Sequence, residues 1–385
     1  MSPICVDDYR MLARRRLPKF LFEYIDGGSY GENTLRANVD DLRKIALRQH
    51  VLNDVSSIDL SVCLFGRTFS TPFGLGPIGL AGMYARRGEC QAARAAEAAN
   101  IPFCLSTMSV CTLDEVASSV DRPFWFQLYM LKDRAFVIDM LARASALGCE
   151  ALVFTVDLPV PGMRYRDYRS GLSGQPGWQG AVRRYAQATI RPGWAWDVGI
   201  SGRPHTLGNI APVLAGKSGF EDVLGWAGRN FDPSVTWKDI SFVRERWPGP
   251  LILKGILEPS DAIRAVEVGV DGLVVSNHGG RQLDGAISTA RALPAIARAV
   301  DGKLTILADG GVRSGLDVAR LIALGADAVL LGRAWAYALG AGGKAAVQQM
   351  LSQFEAELRV ALALTGVDRI GKLDSSFVVR DSARI

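Results

Sequence analysis

The sequence has little of what metal centres, disulfide scaffolds and membrane spans are built from. Its three histidines, His50, His205 and His278, share no ligand spacing, so no metal site is expected. Its six cysteines, Cys5, Cys63, Cys90, Cys104, Cys111 and Cys149, form no C-x-x-C pair. Reduced, mostly buried thiols are the expectation, not a disulfide framework or zinc ribbon. No apolar run reaches the roughly 18 residues of a membrane span. The richest stretch, 326–339, is broken by Asp327 and Arg333. A segment lying on a membrane stays open. The opening MSPICVDDYR has acids where a secretion signal needs an apolar core. The net charge of +5 is too mild to suggest nucleic acid as a partner. The 41 glycines have no three-residue period, which excludes collagen.

What is present is an ordinary globular balance, 49% hydrophobic and 22% charged, over 385 residues. By length alone that means two or three domains, but an α/β barrel of this size is one. The first 60 residues read as helical: Pro18 opens a helix that Gly27-Gly28 ends, with Phe20 and Tyr24 on one face. From residue 72 short apolar runs alternate with helical stretches such as 87–100, 258–269 and 315–325. The runs are 72–78, 102–105, 123–129, 151–156, 251–254, 272–276, 304–308 and 328–331. Continuous apolar strands between helices imply a parallel sheet covered on both faces. Eight of them predict an α/β fold, the (β/α)8 or TIM barrel, over 72–161 and 237–350, with a helix and tail at 351–385. An open doubly wound sheet is the alternative. It would need a G-x-G-x-x-G turn, which G-L-A-G-M after the first run does not supply.

Between the fourth and fifth strands, 162–236 forms a long insertion without strand signal. Within 162–217 stand eight basic residues, Arg164, Arg166, Arg169, Arg183, Arg184, Arg191, Arg203 and Lys217, against two acids, Asp167 and Asp197. Trp178, Trp194, Trp196, Tyr165, Tyr168 and Tyr185 are interleaved with them. Such a segment reads as a lid or binding element, and its basic, aromatic character suits anionic lipid headgroups. The other reading is a lid whose charges pack on the barrel.

Barrel chemistry gathers at the C-terminal ends of the strands, and here nearly every end carries a polar group or glycine. D-G-G-V-R-S-G at 309–315 and Gly332-Arg333 follow strands seven and eight, the usual phosphate site of this fold, where Arg313 and Arg333 can grip oxygens. Ordinary helix capping is the bland reading. Strand six ends in S-N-H-G-G-R-Q-L-D-G, which offers His278 as a base and Arg281 as a two-pronged carboxylate ligand. Asp157, ending strand four, can support a charged imidazole, and Arg164 can reach back as a second carboxylate ligand. Lys254 ends strand five, either as a Schiff-base nucleophile or as a fixed charge beside an electron-rich ring. Tyr24 and Tyr129 can donate hydroxyl hydrogen bonds. Ser106, Gln127 and Thr155 can contact the edge of a heterocycle.

These motifs, with F-Q-L-Y, L-L-G-R and T-V-D-L-P-V-P-G-M-R-Y-R, resemble the FMN-dependent L-2-hydroxy acid dehydrogenases and oxidases from about residue 7 to about 367. F-L-F-E-Y-I-D-G-G, S-T-M-S-V-C and W-A-W-D-V-G resemble its branch of bacterial respiratory L-lactate dehydrogenases. The resemblance implies FMN as cofactor, and oxidation of L-lactate, or else of mandelate or another L-2-hydroxy acid. It implies His278 as base supported by Asp157, with Arg281, Arg164, Tyr24 and Tyr129 on the substrate. It places Lys254 at the flavin N1/O2 edge and Ser106, Gln127 and Thr155 along the isoalloxazine and ribityl chain. Asp309, Gly310, Gly311, Arg313, Gly332 and Arg333 would hold ribityl and phosphate. Gly79, where oxidases of the family tend to have alanine, favours a dehydrogenase. A quinone as electron acceptor, peripheral attachment to the cytoplasmic side of the inner membrane through the insertion, and a homo-oligomer such as a tetramer complete the expectation. A Lys254 aldolase on the same fold is the remoter alternative.

Overall fold

A computed structural model describes residues 2–173, 178–213, 226 and 228–379. Lys217 of the basic segment and the last residues of the tail lie outside them. Two short strands come first, β1 (Val62–Leu64) and β2 (Arg67–Phe69), paired as a hairpin. Eight parallel strands follow: β3 (Phe73–Leu75), β4 (Cys104–Ser106), β5 (Trp125–Tyr129), β6 (Ala151–Thr155), β7 (Leu251–Ile256), β8 (Gly272–Val275), β9 (Thr305–Ala308) and β10 (Ala328–Leu331). Their order is β3-β10-β9-β8-β7-β6-β5-β4. The Leu75 N–H donates to Pro102 O at 2.8 Å and Leu75 bridges Phe103 in parallel, which closes the ring. The expected α/β barrel is therefore present. The first strand is shorter than the apolar run, because after Leu75 the chain turns across the barrel mouth.

Side chains of period two sort the strands into an outer and an inner face. Outward residues such as Phe73, Leu75, Leu105, Phe126, Leu128, Leu253, Leu273 and Val329 join the main core beneath the helices. Inward residues Cys104, Trp125, Ala151, Val153, Ile252, Val274, Leu307, Ala328 and Leu330 form a separate cluster with Leu64 and Phe69 of the hairpin. The hairpin thus floors the barrel. Phe65 and Phe69 stand edge-on to Trp125 at 5.8 and 6.3 Å, a favoured aromatic geometry. Two residues further along each strand the same inward parity meets Ser106, Gln127, Thr155, Lys254, Ser276 and Asp309. The apolar floor gives way to a polar belt at the top.

The N-terminal helix Lys19–Asp26 has Pro18 as its N-cap and ends at Gly27. It lies over the mouth. Arg10, Arg166 and the Tyr337 hydroxyl all bond its buried Asp26. Arg333–Thr365 is two helices joined by a kink at the non-helical Gly342 and Gly343, so residue 350 falls within the second of them. The insertion after β6 is helical where described: Tyr165–Ser170, Trp178–Thr189, Pro192–Trp194 and turns as far as Val213.

Candidate active site

Ser106, Thr155, Lys254 and Asp309 of the polar belt line one cavity of about 780 Å³ at the C-terminal end of the barrel. Ser106 Oγ donates to Gln127 Oε1 at 3.0 Å, and Gln127 Nε2 donates to Thr155 Oγ1 at 3.0 Å. Lys254 Nζ donates to Ser276 Oγ at 2.9 Å and lies 3.1 Å from Asp309 Oδ2. Burial disfavours the Lys254 ammonium, but Asp309 and Asp157 outweigh it and hold its pKa above the ordinary lysine value. A Schiff-base nucleophile needs the opposite shift. Lys254 is a fixed positive charge, which removes the main support for the aldolase alternative.

His278 sits three residues beyond the end of β8, with φ of +56°. A non-glycine residue in the left-handed region is uncommon and is tolerated where surrounding contacts impose it. Here the His278 N–H donates to Ser276 Oγ at 3.0 Å. Its Nδ1 is 2.9 Å from Asp157 Oδ1. Gly255 makes room for this pair: with φ of +113°, its added Cβ would lie 2.5 Å from that of Asp157. Burial pushes the imidazole below its ordinary value of 6.5; Asp157 opposes this and Lys254 reinforces it. Burial works to raise the Asp157 carboxyl, but His278 and Lys254 overcome it and keep it low. At neutral pH the pair is a neutral imidazole beside a carboxylate, the resting state of a general base.

Two arginines face the same cavity. Arg281 Nη1 donates to Tyr24 O at 2.5 Å and Gly27 O at 3.0 Å, and its guanidinium lies 4.7 Å from the Tyr24 ring centre. Arg164 donates to Arg281 O at 3.4 Å and stands 3.9 Å from Asp167. Burial and the neighbouring Arg281 lower the pKa of Arg164. An anionic ligand would relieve both. Tyr129 is half-buried, and the desolvation of its hydroxyl raises the pKa and keeps it a donor. Gly79 lines the wall between Met108 and the Tyr24 hydroxyl, 3.2 and 3.5 Å from where a Cβ would be.

At the far end, Gly310 and Gly311 take φ of +94° and +85°. A Cβ on Gly311 would lie 2.1 Å from Asn38 O. Arg313 and Gly332 line the cavity beside them. Arg333 also lines it, but its guanidinium donates to the carbonyls of Ile25, Gly27 and Gly279 at 2.8–3.0 Å. Burial, reinforced by the neighbouring Arg281 and Arg313, lowers its pKa to about 9. Arg333 thus ties the mouth helix to the His278 loop, a task that its Gly-Arg spacing does not signal.

All of the expected site residues except Gln127 and Asp157 line this one cavity; Gln127 joins through its bonds to Ser106 and Thr155, and Asp157 through His278. Others were not foreseen. Asp167 and Tyr168 of the insertion, together with Leu172 and Phe231, complete the wall. Asn38 and Asn277 exchange two buried amide hydrogen bonds of 2.8 Å, joining the helix Asn33–Arg43 to the loop that carries His278.

The family described as FMN-dependent dehydrogenase matches residues 13–380. The chain belongs to that family. It is 60% identical over 373 residues to an L-lactate dehydrogenase of Caulobacter sp. (strain K31), covering 97% of each chain. It is also 60% identical to the L-lactate dehydrogenase of Alcaligenes faecalis, over 97% of this chain and 98% of the relative. A solved structure of the monotopic membrane protein (S)-mandelate dehydrogenase superposes with a TM-score of 0.92 at 34% identity, covering 98% of this chain and all of the other. The cofactor is FMN, and the chain is an oxidoreductase of 2-hydroxy acids.

The cavity fits FMN. Among the described residues Asp309 Oδ1 is buried with no partner, the orphan expected where a polyol hydroxyl would donate. The Ser106–Gln127–Thr155 chain suits a heterocycle edge, Lys254 a ring that gains negative charge, and the Gly310-Gly311 turn with Arg313 a phosphate.

Proposed function

We propose that the protein oxidises L-lactate to pyruvate, with His278 as the base. Arg281 and Arg164 hold the substrate carboxylate, and Tyr24 and Tyr129 donate toward its hydroxyl end. His278 takes the substrate proton, and the Asp157 carboxylate stabilises the imidazolium that results. FMN, when bound, accepts the two electrons. Lys254 and Asp309 hold their positions at its edge throughout. The observation that carries this reading is the His278–Asp157 pair at 2.9 Å, opening into a cavity that also presents two arginines. Relatives named L-lactate dehydrogenase favour lactate; the mandelate dehydrogenase fold makes L-mandelate the second substrate to try.

The test is anaerobic flavin bleaching by a panel of L-lactate, D-lactate, glycolate and L-mandelate. L-lactate should bleach fastest, by about tenfold over mandelate, a margin of about 1.4 kcal/mol, and D-lactate not at all. Faster bleaching by mandelate would transfer the assignment to it.

The proposal extends to a quinone acceptor and to peripheral attachment at the cytoplasmic side of the inner membrane. Among the described residues no helix is long and apolar enough to cross a membrane. The helix Trp178–Thr189 instead shows Trp178, Val182 and Tyr185 on one face, with Trp178 74%, Tyr185 73% and nearby Trp196 68% exposed. Several arginines of the insertion are otherwise engaged: Arg166 pairs with Glu23, Asp26 and Glu32, and Arg191 bonds the carbonyls of Leu17 and Arg14. Attachment therefore rests on aromatic side chains more than on charge. Replacing Trp178, Tyr185 and Trp196 by serine should move most of the enzyme from washed membranes to the supernatant and leave bleaching by L-lactate unchanged. Retention on the membranes would refute the assignment.

A further inference from the structure

Beside the mouth of the cavity lies a second, open hollow of about 390 Å³, lined by Met163, Tyr165, Tyr168 and Arg169. Tyr168 lines both spaces. One residue is thus the shared wall between the flavin cavity and the surface groove.

The groove is held firmly. Arg166, within the same short helix, is fixed by Glu23, Asp26 and Glu32. Tyr165 stands edge-on to Tyr30 at 5.7 Å. From the neighbouring helix Trp178–Thr189, Arg183 donates to Arg169 O at 2.6 Å, Arg184 to Gly171 O at 2.9 Å and Gln187 to Ser170 O at 2.9 Å. The helix that shows its aromatic face to the outside is therefore bonded directly to the segment that forms the groove.

Its chemistry is specific. Two phenol rings and a thioether supply flat, polarisable walls. The Arg169 guanidinium lies 5.8 Å from the Tyr165 ring centre and, among the described residues, has no carboxylate partner. It can donate to an uncharged oxygen at the rim. A single cation without glycine turns does not suit a nucleotide.

We propose that this groove receives the ring of the quinone that takes the electrons, its carbonyl oxygen on Arg169 and its apolar tail directed along the aromatic face of the adjacent helix. This rests on the quinone reading above. The overall reaction balances: L-lactate loses two electrons and two protons to become pyruvate, and the quinone gains both pairs to become quinol.

The experiment separates the two half-reactions of the FMN-loaded enzyme. Arg169→Gln removes the charged donor, and Met163→Asp places a charge against the ring. Bleaching by L-lactate without air should stay within about twofold of native for both. Reoxidation by a decyl-substituted benzoquinone should need about tenfold more quinone in each, the expected loss for a hydrogen bond from a charged donor. Reoxidation by ferricyanide should be unchanged. Native behaviour of both variants toward the benzoquinone would overturn the groove and leave the quinone reading standing. Failure of the native enzyme to be reoxidised by the benzoquinone would overturn that reading and the groove with it. Slow bleaching by lactate in the variants would place these residues in the lactate step and also overturn the proposal.

Discussion

Replacing His278 by alanine is expected to slow lactate-driven bleaching of the flavin by about 10⁴-fold, the upper range for loss of a positioned general base. FMN content should stay native. The two outcomes separate because the imidazole and the cofactor contacts come from different strand ends. The belt of Ser106, Gln127 and Thr155, the Lys254–Asp309 pair and the Gly310-Gly311 turn do not depend on the imidazole. The one structural cost is the backbone. His278 has φ of +56°, and alanine is strained there by on the order of 1 kcal/mol. His278→Asn is the control, since asparagine visits this region more readily and cannot act as a base. Both variants should retain yellow colour and lose bleaching alike. If His278→Asn bleached at a rate near native, the base would have to be sought elsewhere in the cavity.

The barrel was legible because its strands are read locally. Each apolar run is short, and each ends in or is followed by a polar residue or glycine, so the period that places Trp125 in the floor also places Gln127 and Tyr129 toward the mouth. The His278 and Arg281 motif was legible for the same reason: both residues lie within a few positions of one strand end. Contacts made only by the closed fold were not legible. Asn38 meets Asn277 across 239 positions, and neither carries a pattern that marks the pair. Arg333 has the spacing of a phosphate ligand, yet its donors meet carbonyls of a helix more than 300 positions away. The insertion shows the limit of counting charge. Its basic excess pointed outward, whereas Arg164 belongs to the active site and Arg166 and Arg191 clamp the N-terminal helices. Beside the exposed Arg169, Arg183 and Arg203 stands an aromatic face, whose helical spacing of 178, 182 and 185 was present in the sequence but hidden beneath the charge.

The second large effect concerns the partner of the base. Asp157→Asn should lower kcat by about 10²- to 10⁴-fold, because the imidazolium formed in the reaction loses the carboxylate that stabilises it. The pH profile identifies the cause. In the native protein His278 is already below its ordinary 6.5, chiefly through burial, with Asp157 pulling it up and Lys254 pushing it further down. The acid limb of kcat/KM should therefore lie below pH 6.5, where protonation of His278 removes the base. Taking away the Asp157 charge removes the upward pull, so the limb in Asp157→Asn should move to still lower pH while the plateau falls. The Asp157 carboxyl is itself held low by His278 and Lys254 against the effect of burial, so it stays ionised through this range and does not produce the limb. A role limited to holding the ring in place would leave both plateau and limb near native, since asparagine can accept the same hydrogen bond from Nδ1. A limb that stayed in place, or moved up, would therefore show that Asp157 orients His278 without acting on its proton.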